Sequence, residues 1–261
     1  MVAMASFLRY RVVVTTVLIA MMVTTEAFKE QDWKDAHATF YGDESGVADD
    51  MGGACGYSNM NAIGFGTNTA ALSTPLFNDG KGCGGCYEIR CTGSRFCRPG
   101  ASSIVVTGTN LCPPNWAEDS NNGGWCNPPR VHFDMAMPAW LSFGQYEGGI
   151  VPVMYRRVPC KRSGGIKFKL SGNAYWLLVY ILNVGGPGDV CGMWVKGDNT
   201  EWISMSQNFG AVWQAFANLG GQGLSFKLTA CSSEETVLSN NVADPNWGTG
   251  LIYEATNNLG Y

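Results

Sequence analysis

Two short segments carry residue types suited to acid–base chemistry. In Thr39-Phe40-Tyr41-Gly42 a strand places Thr39 and Tyr41 on one face and Phe40 on the other, because strand side chains alternate with a period of two. In Val131-His132-Phe133-Asp134-Met135 the same rule turns Val131, Phe133 and Met135 toward a core, and His132 and Asp134 share the opposite, polar face. An Asp there acts as a general acid if its pKa is raised, and a neighbouring His positions it or a hydroxyl group. An ordinary solvated strand surface shows the same pattern, so each segment alone is weak. Metal chemistry is not expected: Cys83 and Cys86 have CxxC spacing, but Cys91 and Cys97 do not repeat it, and His37 and His132 lack HxxxH spacing. No cofactor motif is present.

The elements that position these residues sit in a chain of a distinctive class. Arg9 and Arg11 precede a largely apolar run, Val12 to Val23, and Thr25-Glu26-Ala27 supplies the small residues of a cleavage site, so residues 1–27 read as a signal peptide. Twelve residues make a rod of roughly 18 Å, well short of the ~30 Å hydrocarbon core, and no transmembrane segment is expected. Cleavage leaves 234 of 261 residues, with 15 basic and 20 acidic side chains in place of 17 and 21, a net charge of −5. That balance excludes nucleic acid, whose phosphates need many Lys and Arg contacts. Only 15% of residues are charged while Gly, Asn, Trp and Tyr are plentiful, which suits a neutral, hydroxyl-rich partner. All ten cysteines follow the leader, eight of them between Cys55 and Cys160; in a secreted chain that density indicates disulfides. Whether Cys191 and Cys231 pair is left open.

Composition divides the chain. Residues 28–163 hold the eight cysteines, long Gly/Asn/Pro loops and short β-type runs, which suggest a barrel or sandwich. The Ala and Leu spacing over Asn68 to Phe77 reads as a helix. Lys161-Arg162-Ser163-Gly164-Gly165 reads as a hinge, and residues 164–261 return to strand-like runs between Gly-rich turns, consistent with a small β-sandwich.

Several strings together resemble expansins. They are Met51-Gly-Gly-Ala-Cys55-Gly-Tyr57, Gly82-Cys-Gly-Gly-Cys86-Tyr-Glu-Ile-Arg-Cys91, Cys112-Pro-Pro-Asn, Gly124-Trp-Cys-Asn-Pro-Pro129, His132-Phe-Asp134 and Tyr155-Arg-Arg-Val-Pro-Cys160, followed by Asn183-Val-Gly-Gly, Gly221-Gln-Gly-Leu-Ser-Phe226 and Ser239-Asn-Asn-Val242. The Gly-Trp-Cys-Asn-Pro-Pro block is similar to the alpha-expansin branch. The resemblance implies a mainly β protein, a six-stranded double-psi β-barrel like that of family-45 endoglucanases followed by an immunoglobulin-like, polysaccharide-binding β-sandwich. It implies a glucan-binding groove lined by Thr39, Tyr41, Asp50, His132 and Asp134, and the pairings Cys55–Cys83, Cys86–Cys160 and Cys91–Cys97, which leave Cys112–Cys126. The implied activity is loosening of contacts between cellulose and xyloglucan-like matrix glucans without hydrolysis, by a secreted monomer in the cell wall or peripheral at the outer membrane surface.

An inverting glycosidase needs, besides its acid, a carboxylate base roughly 6.5–9.5 Å away. Asp134 matches the acid. The enzymes' base lies on a loop that expansins lack, although Asp43, Glu44, Asp49 and Asp50 cluster after Tyr41. In the second domain flat rings would stack on sugar faces; the candidates are Tyr175, Trp176, Trp202, Phe209 and Trp213. Alternation from Tyr175 to Leu182 lets only one of Tyr175 and Trp176 face outwards. Phe209 stands where the family usually has Trp.

Overall fold

In a computed structural model, residues 27–46 and 52–260 are described; nearly all of the expected leader and the candidate Asp50 lie outside them. The first six strands are β1 (Lys34–Tyr41), β2 (Thr69–Leu72), β3 (Cys86–Cys91), β4 (Ile104–Leu111), β5 (His132–Ala136) and β6 (Val151–Val158). They close into a barrel in the order β1-β5-β2-β4-β3-β6, with β1–β5 and β2–β4 parallel and the other neighbours antiparallel. Alternation fills it: Ala36 and Ala38, Tyr87 and Ile89, Phe133 and Met135, and Val151, Val153 and Tyr155 all point inward. Phe133 meets Tyr87 and Tyr155 edge-on, each with centroids 5.2 Å apart, a geometry favoured by ring quadrupoles. A short helix, α2 (Met137–Leu141; α1 is Thr74–Phe77), adds the fully buried Trp140.

The helix expected over Asn68 to Phe77 is half strand: Thr69-Ala-Ala-Leu72 is β2, and Thr74–Phe77 is helical. All four β2 residues are buried, and a strand buried on both faces is a continuous small apolar run that mimics a buried helix.

The remaining strands, β7 (Lys167–Asn173), β8 (Trp176–Leu182), β9 (Gly192–Gly197), β10 (Ile203–Ser204), β11 (Ser206–Phe209), β12 (Val212–Phe216), β13 (Leu224–Thr229), β14 (Thr236–Ala243) and β15 (Ile252–Glu254), form two antiparallel sheets, β11-β12-β8-β7-β15 and β10-β9-β13-β14. Their inner faces make one core, in which Phe168 of β7 stacks on Phe226 of β13 at 4.4 Å. Disulfides join Cys55–Cys83, Cys86–Cys160, Cys91–Cys97, Cys112–Cys126 and Cys191–Cys231.

Barrel and sandwich are fused rather than hinged. Ala211 N–H donates to the Cys55 carbonyl (3.0 Å) and Cys160 N–H to that of Gly186 (2.7 Å). Gly84 and Gly188, both at positive φ, sit back to back: a Cβ on either would lie 2.5 Å or less from the other's carbonyl oxygen. The supposed hinge is itself held, since Asn183 Nδ2 donates to the carbonyls of Ser163 and Gly165 at 2.8 Å.

Candidate functional site

Parallel pairing of β1 with β5 sets Thr39 opposite Asp134, and β2 flanks Asp134 with Ala71. The Thr39 hydroxyl lies 2.8 Å from His132 Nε2 and donates to Asp134 Oδ1 at 2.7 Å. A hydroxyl has one proton and here gives it to the carboxylate, so it accepts the His132 Nε2–H; this assigns the Nε2–H tautomer. His132 is not on a solvated face as expected. It is fully buried, its backbone N–H donates to Ser73 Oγ at 3.0 Å and its carbonyl accepts from Ser73 N–H at 3.0 Å. The reason is non-local: the strand pairs on both edges, and the ring is enclosed instead of facing water. Burial, with His37 and Arg130 nearby, pushes its pKa down to about 3, so the ring is neutral. Its buried Nδ1 has no hydrogen-bond partner among the described residues. His132 therefore orients Thr39, and Thr39 orients Asp134.

Thr39, Tyr41 and Asp134 are all half-buried at the barrel surface. In the loop after β1, Asp43 and Glu44 are exposed. The Asp43 carboxylate accepts from the Ser45 hydroxyl and, at 2.9 Å, the Ser45 N–H; these bonds lower its pKa. Asp43 is thus a solvated carboxylate engaged with its own loop. Asn110 at the end of β4 accepts the Ala54 N–H at 2.7 Å and ties the 52–57 segment to the barrel. Between β4 and β5, the loop clasped by Cys112–Cys126 carries Trp116, 72% exposed, which was not among the sequence candidates. Its only local signal is an aromatic in a Pro/Asn-rich loop.

The outer face of the five-stranded sheet holds a second group. Trp176 and Phe216 are register partners on β8 and β12, with nearly parallel rings (12°) and centroids 6.5 Å apart. Trp176 Nε1 donates to Gln214 Oε1 at 3.2 Å, which fixes the indole. Tyr175 is exposed as well, because it lies in the turn before β8 rather than in the strand. Asn173 Oδ1 accepts both the Tyr175 and Trp176 N–H groups. The alternation argument, which sent one of the pair into the core, fails there. Phe209 is exposed and lies with Tyr180 beside Gly56, where the sandwich meets the barrel. Trp213 must be corrected: it pairs with inward-facing Val179, is buried and belongs to the sandwich core. The outward positions of β12 go to Gln214 and Phe216, so Phe216, 72% exposed, is the ring the sequence reading missed. Trp202 is half-buried near Lys227 of the four-stranded sheet, away from this row.

A closed six-stranded barrel with a polar surface site, fused to a sandwich with an aromatic outer face, defines a two-domain class. Residues 69–155 match a family model described as Lytic transglycolase, and residues 166–244 match the Expansin C-terminal domain. Expansin-A7 of Arabidopsis thaliana is 57% identical over 232 residues, covering 89% of this chain and 88% of its own length. Expansin-A17 of Oryza sativa subsp. japonica is 54% identical over 237 residues, with 89% and 84% covered. The chain belongs to the expansin family, and the names of these relatives place it in the A, or alpha, branch. In fold it is similar to the apo expansin of Clavibacter michiganensis, with TM-score 0.67 and 15% identity over 87% of this chain and 98% of that one. A mutant of that bacterial protein has been solved in complex with cellohexaose, at TM-score 0.66.

Proposed function

We propose that this expansin loosens plant cell walls by disrupting non-covalent contacts between cellulose and xyloglucan-like matrix glucans, without hydrolysis. It would act as a secreted monomer of the wall, with barrel residues 28–163 and sandwich residues 164–261 sharing one glucan-binding surface. The observation that carries this reading is the aromatic row. Trp176 and Phe216 lie exposed on the outer sheet face with nearly parallel rings, and Tyr180, four residues along β8 and about 13 Å away at ~3.3 Å per residue, continues the row with Phe209 toward the barrel. Such rings take the apolar faces of sugar units out of water at about 25 cal/mol per Å². The cellohexaose complex of the bacterial relative supports a cellulose-like ligand.

In the barrel, Thr39, Tyr41 and Asp134 would bind the chain's hydroxyls, with neutral His132 as support and Asp50 as the remaining candidate. Absence of hydrolysis rests on chemistry: Asp134 is a possible acid, but neutral, buried His132 is a poor base at its pKa of about 3, and Asp43 is occupied by Ser45. Retention on cellulose tests the reading. Trp176→Ala/Phe216→Ala is expected to bind roughly tenfold or more weakly, as loss of two stacked rings requires; unchanged retention would remove the row from the binding surface.

A further inference from the structure

A cavity of about 530 Å³ opens on the β3, β4 and β6 wall of the barrel, away from the strands that carry Thr39 and Asp134. The 159–162 segment leading into the sandwich closes one side, and Arg162 lines it. The Arg162 guanidinium lies 4.4 Å over the Phe65 ring, and its Nη2 donates to Thr107 Oγ1 at 2.8 Å. Its Nε is enclosed without a hydrogen-bond partner among the described residues, and burial lowers the pKa of the side chain. The cavity's two carboxylates, Glu30 and Glu88, are both held by Arg156, at 2.7 and 2.6 Å. Among the described residues neither Arg162 nor Lys161 forms an ion pair. Three cations thus face two anions, in a chain whose overall charge is −4. A cation taken partly out of water with no counter-charge is costly, and replacing it by an apolar residue would relieve that cost.

We propose that this cavity binds an acidic sugar of the hexuronate class, with its carboxylate on Arg162 and Lys161. The planar guanidinium suits two-pronged carboxylate recognition. Val105 and Pro159 offer an apolar wall to the sugar ring, and the Asn68 amide reaches its hydroxyls. The volume lies within the range of small-ligand sites. Since the cavity lining shares no residue with the aromatic row, one molecule would hold an acidic matrix chain and a neutral glucan together. This goes beyond the glucan-binding surface proposed above and does not depend on it.

Calorimetry on the full disulfide-bonded chain at low salt, with digalacturonic acid, its dimethyl ester and cellobiose as probes, tests the site. The free acid is expected to bind about tenfold or more tightly than either neutral probe, with Arg162→Leu losing about tenfold and Lys161→Gln about threefold, as charge-assisted hydrogen bonds require. Retention on cellulose should be the same in both variants and the parent. Equal affinity for acid and ester, no binding of the acid, or undiminished binding by Arg162→Leu would overturn the proposal. If Arg162→Leu does not fold, the ester comparison and Lys161→Gln decide, and no change in either overturns it. Loss of cellulose retention by the parent chain would count only against the aromatic row.

Discussion

The hydroxyl of Thr39 is the smallest group in the barrel site and joins the other two, accepting from His132 and donating to Asp134. Thr39→Val keeps the shape and removes both bonds, leaving a buried imidazole N–H unsatisfied. Urea unfolding should show a loss of about 1–3 kcal/mol, with reduced wall-loosening activity because Asp134 is no longer oriented. His132 adds a pH dependence with a definite sign. Its folded pKa of about 3 lies below the ordinary 6.5, so the unfolded chain takes up a proton between those values that the folded chain refuses. Stability from this group is therefore full above about pH 6.5 and falls as the pH drops toward 3, by at most ~1.4 kcal/mol per pH unit. Comparing urea unfolding at pH 7 and pH 5, His132→Gln should lose about 2 kcal/mol less than the parent; parallel losses would contradict a neutral, buried His132. Alternation in Val131 to Met135 made Phe133 and Met135 legible as core. It misplaced His132, because burial on the second face comes from pairing with β1 across 93 residues, which no local pattern records.

At the scale of elements, β12 separates packing from binding. Trp213 and Phe216 have opposite parity, one in the sandwich core and one 72% exposed. Trp213→Ala should cost about 3–5 kcal/mol of stability, as large-to-small core substitutions do. Phe216→Ala should leave the melting temperature nearly unchanged while weakening retention on cellulose. The reverse assignment would appear as the reverse pair of effects in the same two measurements. The aromatic types were visible in the sequence, but the parity of β12 was not, since it depends on pairing with β8. Tyr175 was misread for a different reason: strand alternation was extended one residue into the Asn173 turn. In β2, four buried residues left no period with which to tell strand from helix.

For the whole molecule, the expected barrel-then-sandwich order is present, whereas the contact between the two units was not legible. A Gly-containing basic linker reads as a hinge, yet Gly84 and Gly188 allow the backbones to touch. Asp189 completes the joint: it is almost fully buried, pairs with Arg157 of β6 at 3.0 Å, and accepts the N–H groups of Cys231 and Ser232. Removing one partner of such a pair leaves a buried charge, so Asp189→Ala should cost about 3–5 kcal/mol. In calorimetry the single transition expected of the fused parent should then split toward two. A parent that already unfolds in two steps would show that the units are only tethered.

The central claim, loosening without cutting, is tested most directly by one paired measurement: extension of heat-killed wall strips under constant load, with reducing ends assayed in the same bath. The account predicts extension from the parent protein, none from Trp176→Ala/Phe216→Ala, and no new reducing ends at any protein concentration that causes extension. Reducing ends that rise with extension and vanish in Asp134→Ala would contradict it and make the barrel site a glucanase.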